Sequence, residues 1–194
     1  MKQNNFFANS ASKALALAAV VMMSAAFTSC SKDSDDDNGG LPTPKAQTVA
    51  IDGVEKPILK AEYDDEADGD YNLYLYLSTN HKEKVKFELN KDLHMTGSPI
   101  NLTKREKKHD GQWYWWVAYI KPDDTKLISA FSKPEELYDP GDEIKPVFTT
   151  GTLTTSGSFD GTINIVLKNG RVKGEDNKEH TLTISYSGSM TKVE

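Results

Sequence analysis

From residue 47 to residue 194 the chain repeats one pattern: a short run of alternating apolar and polar residues, a turn residue, then alternation again. Successive side chains of an extended chain point to opposite faces, so this alternation buries one face of a strand and wets the other. No window of twelve residues in the stretch carries apolar groups at helical spacing. The pattern predicts an all-β, antiparallel β-sandwich of about nine or ten strands, a single domain over 47–194. The same spacing also fits a closed barrel of the calycin or lipocalin type, which is the alternative.

Individual strands follow from the turn chemistry. Thr48–Ile51 and 54–63 flank Asp52-Gly53, a pair that tolerates the positive φ angles of a type I′ hairpin turn. Pro57 has no N–H and places the second of these runs at an edge or a bulge. In 71–78 (YNLYLYLS), Tyr71, Leu73, Leu75 and Leu77 share one face, and Asn72, Tyr74 and Tyr76 the other. Strands are also expected at 84–89, 100–104, 112–120, 126–131, 145–154, 161–167 and 181–187, the last running on to 190–193, with a turn at Asn169-Gly170. Segment 132–142 contains Pro134, Pro140 and Gly141 and reads as a loop with one helical turn at 135–137.

The first forty residues have another logic. Lys2 and Lys13 are the only charges before Cys30, the chain's single cysteine, and 14–26 is a largely apolar run of thirteen residues. At about 1.5 Å per residue that run spans roughly 20 Å, short of the ~30 Å core of a bilayer, so it reads as a signal segment rather than an anchor. A lone cysteine in an exported chain has no intrachain partner. Together with the small residues before Cys30, these features resemble the lipobox of bacterial lipoproteins. The resemblance implies cleavage of 1–29 and lipidation of Cys30, with Phe27 a departure from the usual residue three places earlier. Several acyl chains, at about 0.8 kcal/mol per buried methylene, anchor stably where one does not. Ser34-Asp35-Asp36-Asp37 resembles the export signal of Bacteroidetes surface lipoproteins, which implies an outer-membrane protein exposed at the cell surface. Residues 30–46 then form a polar, acidic tether.

Loss of Lys2 and Lys13 takes the formal charge from −6 to −8. This acidic balance argues against nucleic acid as a partner. Asp52-Gly53, Ser156-Gly157 and the closing Tyr186-Ser187-Gly188-Ser189-Met190-Thr191 are similar to small β-rich lipoproteins of gut Bacteroidetes, a group largely without assigned function.

All three tryptophans fall within 112–120, QWYWWVAYI. As a strand, this stretch puts Trp113, Trp115, Val117 and Tyr119 on one face and Tyr114, Trp116, Ala118 and Ile120 on the other. Large aromatics on both faces mean either that both are covered or that one is a contact surface. Tyr74 and Tyr76 pose the same question, and Tyr74, Tyr76, Tyr114 and Trp116 are the candidate platform for a polysaccharide or an envelope protein.

Asp64, Glu66, Asp68 and Asp70, with Gly69, alternate like the start of a calcium loop, but the twelfth position is Leu75 rather than a bidentate Glu. An EF-hand is excluded, leaving a looser calcium site or a solvated hairpin loop. His81, His94, His109 and His180 stand apart with no metal-binding spacing. Neither a Gly-x-Ser-x-Gly elbow nor a phosphate-binding loop is present. The expectation is a non-enzymatic surface lipoprotein without a cofactor. A carrier of small apolar ligands, in the barrel case, and a structural envelope component are the alternatives.

Overall fold

A computed structural model describes residues 40–193. The signal segment, Cys30, Ser34, Asp35, Asp36 and Asp37 lie outside the described residues. Twelve strands are present among those described: β1 (Thr48–Ile51), β2 (Val54–Pro57), β3 (Lys60–Asp65), β4 (Asp70–Tyr76), β5 (Lys84–Asn90), β6 (Ile100–Asn101), β7 (Trp116–Ile120), β8 (Lys126–Phe131), β9 (Thr150–Gly157), β10 (Ile163–Lys173), β11 (Glu179–Gly188) and β12 (Thr191–Lys192). They make two six-stranded sheets, ordered β2-β1-β11-β10-β9-β6 (sheet I) and β12-β3-β4-β5-β7-β8 (sheet II). The sheets are not closed into a barrel; the fold is a β-sandwich. Every pairing is antiparallel except that of β12 with β3. Among the described residues no helix is long and apolar enough to cross a membrane.

The alternation puts the core where period two requires. Val49 and Ile51 of β1, Leu182 and Ile184 of β11, and Ile163, Ile165 and Leu167 of β10 face Leu73 and Leu75 of β4, Val85, Phe87 and Leu89 of β5, and Val117 of β7. Asp52 and Gly53 take φ of 51° and 78°, as the type I′ turn demands.

Four expectations are corrected. The run 54–63 is two strands in different sheets. After Pro57, Ile58 N–H donates to the Gln47 carbonyl of sheet I and Leu59 N–H to the Tyr76 carbonyl of sheet II, so the chain crosses between layers there. Asn169-Gly170 is a bulge inside β10 rather than a hairpin turn. A Cβ on Gly170 would lie 2.5 Å from the Leu182 carbonyl oxygen, so only glycine lets β10 pass this close to β11. The run 100–104 shrinks to Ile100–Asn101, and 112–120 to Trp116–Ile120. A one-turn helix α1 (Lys91–His94), far shorter than the twelve-residue windows that lack helical spacing, follows β5, capped by Asn90, whose Oδ1 accepts from Asp92 N–H (3.0 Å) and Leu93 N–H (3.2 Å).

The outer faces differ in chemistry. That of sheet I carries mainly hydroxyls and small groups, including Thr48, Ala50, Thr181, Thr183, Thr154 and Ser185. Residues 41–45 lie against it: Leu41 N–H donates to Asn169 Oδ1 (3.2 Å), Pro44 is buried and Lys45 pairs with Glu55 at 2.7 Å. The outer face of sheet II carries rings and charges. Between the layers, buried Glu83 accepts the Tyr119 hydroxyl and pairs with Lys56 of β2, tying an edge of sheet I to sheet II.

Candidate functional site

Strand register fixes the outer face of sheet II as three rows. They read Lys60–Tyr76–Lys84–Ile120–Lys126, Glu62–Tyr74–Lys86–Ala118–Ser129 and Asp64–Asn72–Glu88–Trp116–Phe131. Each residue two positions along a strand returns to the same face, so aromatic and lysine positions alternate across neighbouring strands.

The structure brings Tyr74 and Tyr76 together, with ring centroids 6.1 Å apart and planes within 18°. Trp116 leans along β7 and donates its indole N–H to Ser129 Oγ at 3.0 Å. Ala118 and Ser129 point outward yet are buried, Ser129 where it accepts the indole N–H. Lys86 stands between the aromatic groups, its ammonium 5.8 Å from the Tyr74 ring and 5.0 Å from the Trp116 ring, and Lys126 flanks Trp116 at 4.9 Å. Tyr76 is only 9% exposed, while Tyr74, Tyr114 and Trp116 are half-buried. The four residues therefore do not form one continuous platform: an ammonium group separates Tyr74 from Trp116, and Tyr114 is turned elsewhere.

Tyr114 belongs to a cleft at the end of this face. Trp113, Tyr114 and Phe131 line it together with Glu88, Gln112 and Lys133, enclosing about 410 Å³. The Tyr114 ring meets Phe131 edge-on at 6.5 Å and lies 4.1 Å from the His109 imidazole. Its hydroxyl is committed to the backbone, donating to the His109 carbonyl (2.9 Å) and accepting from the His109 N–H (3.2 Å). Trp115, on the opposite face, is fully buried in the core beside Phe148. Trp113 departs from the expected alternation. Its N–H donates to Asp70 Oδ1 (3.0 Å) before β7 begins, and its side chain lines the cleft instead of the core.

Two adjacent residues hold the cleft-forming loop between β6 and β7. Arg105 donates to the carbonyls of Phe131 (3.0 Å), Lys133 (2.9 Å) and Lys145 (2.7 Å). Glu106 receives His94 Nε2 (2.9 Å), Trp115 N–H (3.2 Å) and the Ser132 hydroxyl (2.9 Å) on one oxygen, and His109 Nε2 (2.9 Å) on the other. Asn90 N–H donates to His94 Nδ1 at 2.7 Å, so the His94 proton sits on Nε2, facing Glu106. Burial pushes the Glu106 carboxyl up, but the hydrogen bonds from His94, His109 and the Trp115 N–H outweigh it and hold the group below the usual carboxylate range. The stretch 104–109, KREKKH, is thus a local basic segment hidden by the acidic total, with Arg105 and Glu106 turned inward and Lys104, Lys107 and Lys108 exposed.

The acidic turn does not gather its carboxylates. Asp70 is buried and accepts from Asn90 Nδ2 (2.8 Å) and the Trp113 N–H; Glu66 accepts from Asn72 Nδ2 (2.7 Å). Asp64 lies in β3 and Asp68 is exposed at the hairpin tip with φ of 52°. Among the described residues no three His, Cys, Asp or Glu side chains are grouped to hold a metal ion. His180 is bracketed by Asp52 Oδ2 (2.8 Å) and Asp176 Oδ1 (2.9 Å), which staple the first hairpin turn to the turn before β11.

Sequence reasoning missed Glu88, Gln112, Trp113, Phe131 and Lys133. Only the aromatic density of 112–120 pointed towards any of them. No protein-family model, curated protein or solved structure matches this chain.

Proposed function

We propose that this chain is a non-enzymatic surface lipoprotein, anchored through Cys30, that binds glycan on the outer face of sheet II. The observation carrying the reading is the cleft of Trp113, Tyr114 and Phe131 with Glu88, Gln112 and Lys133 at its margins. Apolar ring faces suit the C–H faces of sugars, and a carboxylate, an amide and an ammonium group suit hydroxyls around them. The Tyr114 hydroxyl is tied to backbone, so the ring is held in place without ligand, which lowers the ordering cost of binding. Trp116, paired with Phe131 across β7 and β8, continues the aromatic surface beyond the cleft as far as the Lys86 ammonium.

The anchor geometry agrees with this use. The eleven peptide units from Cys30 to Leu41 reach at most about 40 Å. The segment entering the domain, 41–45, runs over sheet I and leaves the sheet II face clear. Because the sheets are not closed, the premise of an apolar carrier, a barrel with a central cavity, is absent. The test is affinity electrophoresis of the full chain through gels containing soluble polysaccharides. Retardation on at least one gel, lost in Trp113→Ala with an unchanged melting temperature, is expected; free migration on every gel would refute the reading.

A further inference from the structure

We infer that the glycan taken by this face is anionic, a polysaccharide carrying carboxylate or sulfate groups; the inference rests on the glycan-binding reading above. Its basis is which charges on the face are already neutralised. Glu62 pairs with Lys60 at 2.5 Å and Glu88 with Lys86 at 2.9 Å. In the β7–β8 turn, Asp123 pairs with Lys121 (3.7 Å) and Asp124 with Lys82 (3.3 Å). Among the described residues, three lysines of the face and its cleft stand beside rings and form no ion pair. Lys84 lies 5.8 Å from the Tyr76 ring, Lys126 4.9 Å from the Trp116 ring, and Lys133 4.8 Å from the Tyr138 ring. The remaining acids of the rows, Asp64 and its neighbour Glu66, sit at the β3 margin, on the far side of β4 and β5 from Trp116. On β5, β7 and β8 the rows thus carry Lys84, Lys86 and Lys126 against the single carboxylate of Glu88, a local excess of positive charge on a protein whose net charge is negative.

An ammonium group beside a ring can bind a ligand's anionic substituent while the ring takes its apolar face. Lys126 opens β8 and Lys133 lies two residues beyond its last, seven residues apart, a span of about 23 Å if extended. A charged polysaccharide, with hydroxyls left over for Glu88 and Gln112, matches both the sparse lysines and the polar cleft margin.

The experiment measures binding of the full chain to polygalacturonate, to its fully methyl-esterified form, to κ-carrageenan and to poly(dT). At low salt, polygalacturonate or carrageenan should bind at least about tenfold more tightly than the methyl ester, and 0.3 M NaCl should remove most of that advantage. Preference for polygalacturonate assigns a carboxylate ligand and preference for carrageenan a sulfate. In the Lys84→Gln/Lys126→Gln/Lys133→Gln variant, with its melting temperature checked, the ratio of anionic to methyl-ester affinity should fall to about one. Equal binding of charged and esterified polymers by the unaltered chain would overturn the anionic assignment and leave the glycan reading standing. Binding to poly(dT) alone would overturn both, as would no binding to any of the four.

Discussion

Replacing Glu106 by Gln tests whether one carboxylate organises the loop that shapes the cleft. Glu106 serves four donors, three of them on enclosed residues: His94 Nε2, the N–H of Trp115 and the hydroxyl of Ser132; the hydroxyl can turn to the Trp115 carbonyl instead (3.1 Å), so His94 and Trp115 are the two that depend on the carboxylate. A hydrogen bond to a charged acceptor is worth about 1.5–3 kcal/mol and one to a neutral acceptor about 0.5–1.5, so neutralisation costs roughly 1 kcal/mol for each of these two. The glutamine amide must also place its NH₂ against His109 Nε2–H, a donor facing a donor, unless His109 moves its proton to Nδ1. The sum is about 2–3 kcal/mol, or a fall of about 4–12 °C in melting temperature for a domain of this size. Glu106→Ala, which strands the donors altogether, should cost more, about 3–6 kcal/mol. Differential scanning fluorimetry at pH 7 reads both. The folded carboxyl lies below its ordinary value of 4.5, so its contribution is present above that value and is lost as pH falls through the folded pKa. The gap between wild type and Glu106→Gln should accordingly narrow below about pH 4.5. A melting temperature for Glu106→Gln within about 1 °C of wild type at neutral pH would refute the reasoning.

Three further outcomes are expected. Trp115→Ala should lose about 3–5 kcal/mol in urea unfolding as a core cavity opens, whereas Trp116→Ala should lose only about 1 kcal/mol, its bond to Ser129, while weakening polysaccharide retention; equal stability losses would show the face assignment to be wrong. For His180, burial opposes the charge but the hydrogen bonds it donates to Asp52 and Asp176 outweigh it and raise the folded pKa above 6.5, so its stabilisation is complete below that value and lost as pH rises through the folded pKa. Melting curves from pH 5.5 to 9 should show wild type losing an increment that His180→Asn lacks; parallel curves would remove the charged staple. In cells, protease added outside should release the domain of the wild type, Cys30→Ser should free it from the membrane fraction, and alanines at Asp35, Asp36 and Asp37 should lower surface display while leaving acylation intact. Protection of the domain in unbroken cells would exclude the outward orientation.

What the sequence alone determined is what local stereochemistry carries. Period two put Leu73 and Leu75 on one face of their strand and Trp115 and Val117 on one face of theirs, and all four are buried. Asp52-Gly53 specified its turn because that pair accepts two positive φ angles. Asn169-Gly170 carries the same local signal, yet became a bulge: that outcome depends on the closeness of Leu182, which no neighbour in sequence encodes. The run 54–63 likewise looks continuous, and only the positions of the Gln47 and Tyr76 carbonyls, which take the successive N–H groups of Ile58 and Leu59, divide it between the sheets. The cleft was the least legible feature. Glu88 comes from β5, Trp113 and Tyr114 from a loop, and Phe131 and Lys133 from the end of β8, and their meeting follows from strand order. Trp113 left its expected face because the Asp70 carboxylate, 43 residues away, took its N–H and ended the extended register before β7 began. Alternation can say which side of a strand is dry, but which strands become neighbours, and so which rings and charges share a surface, is decided by the long-range packing of the two sheets.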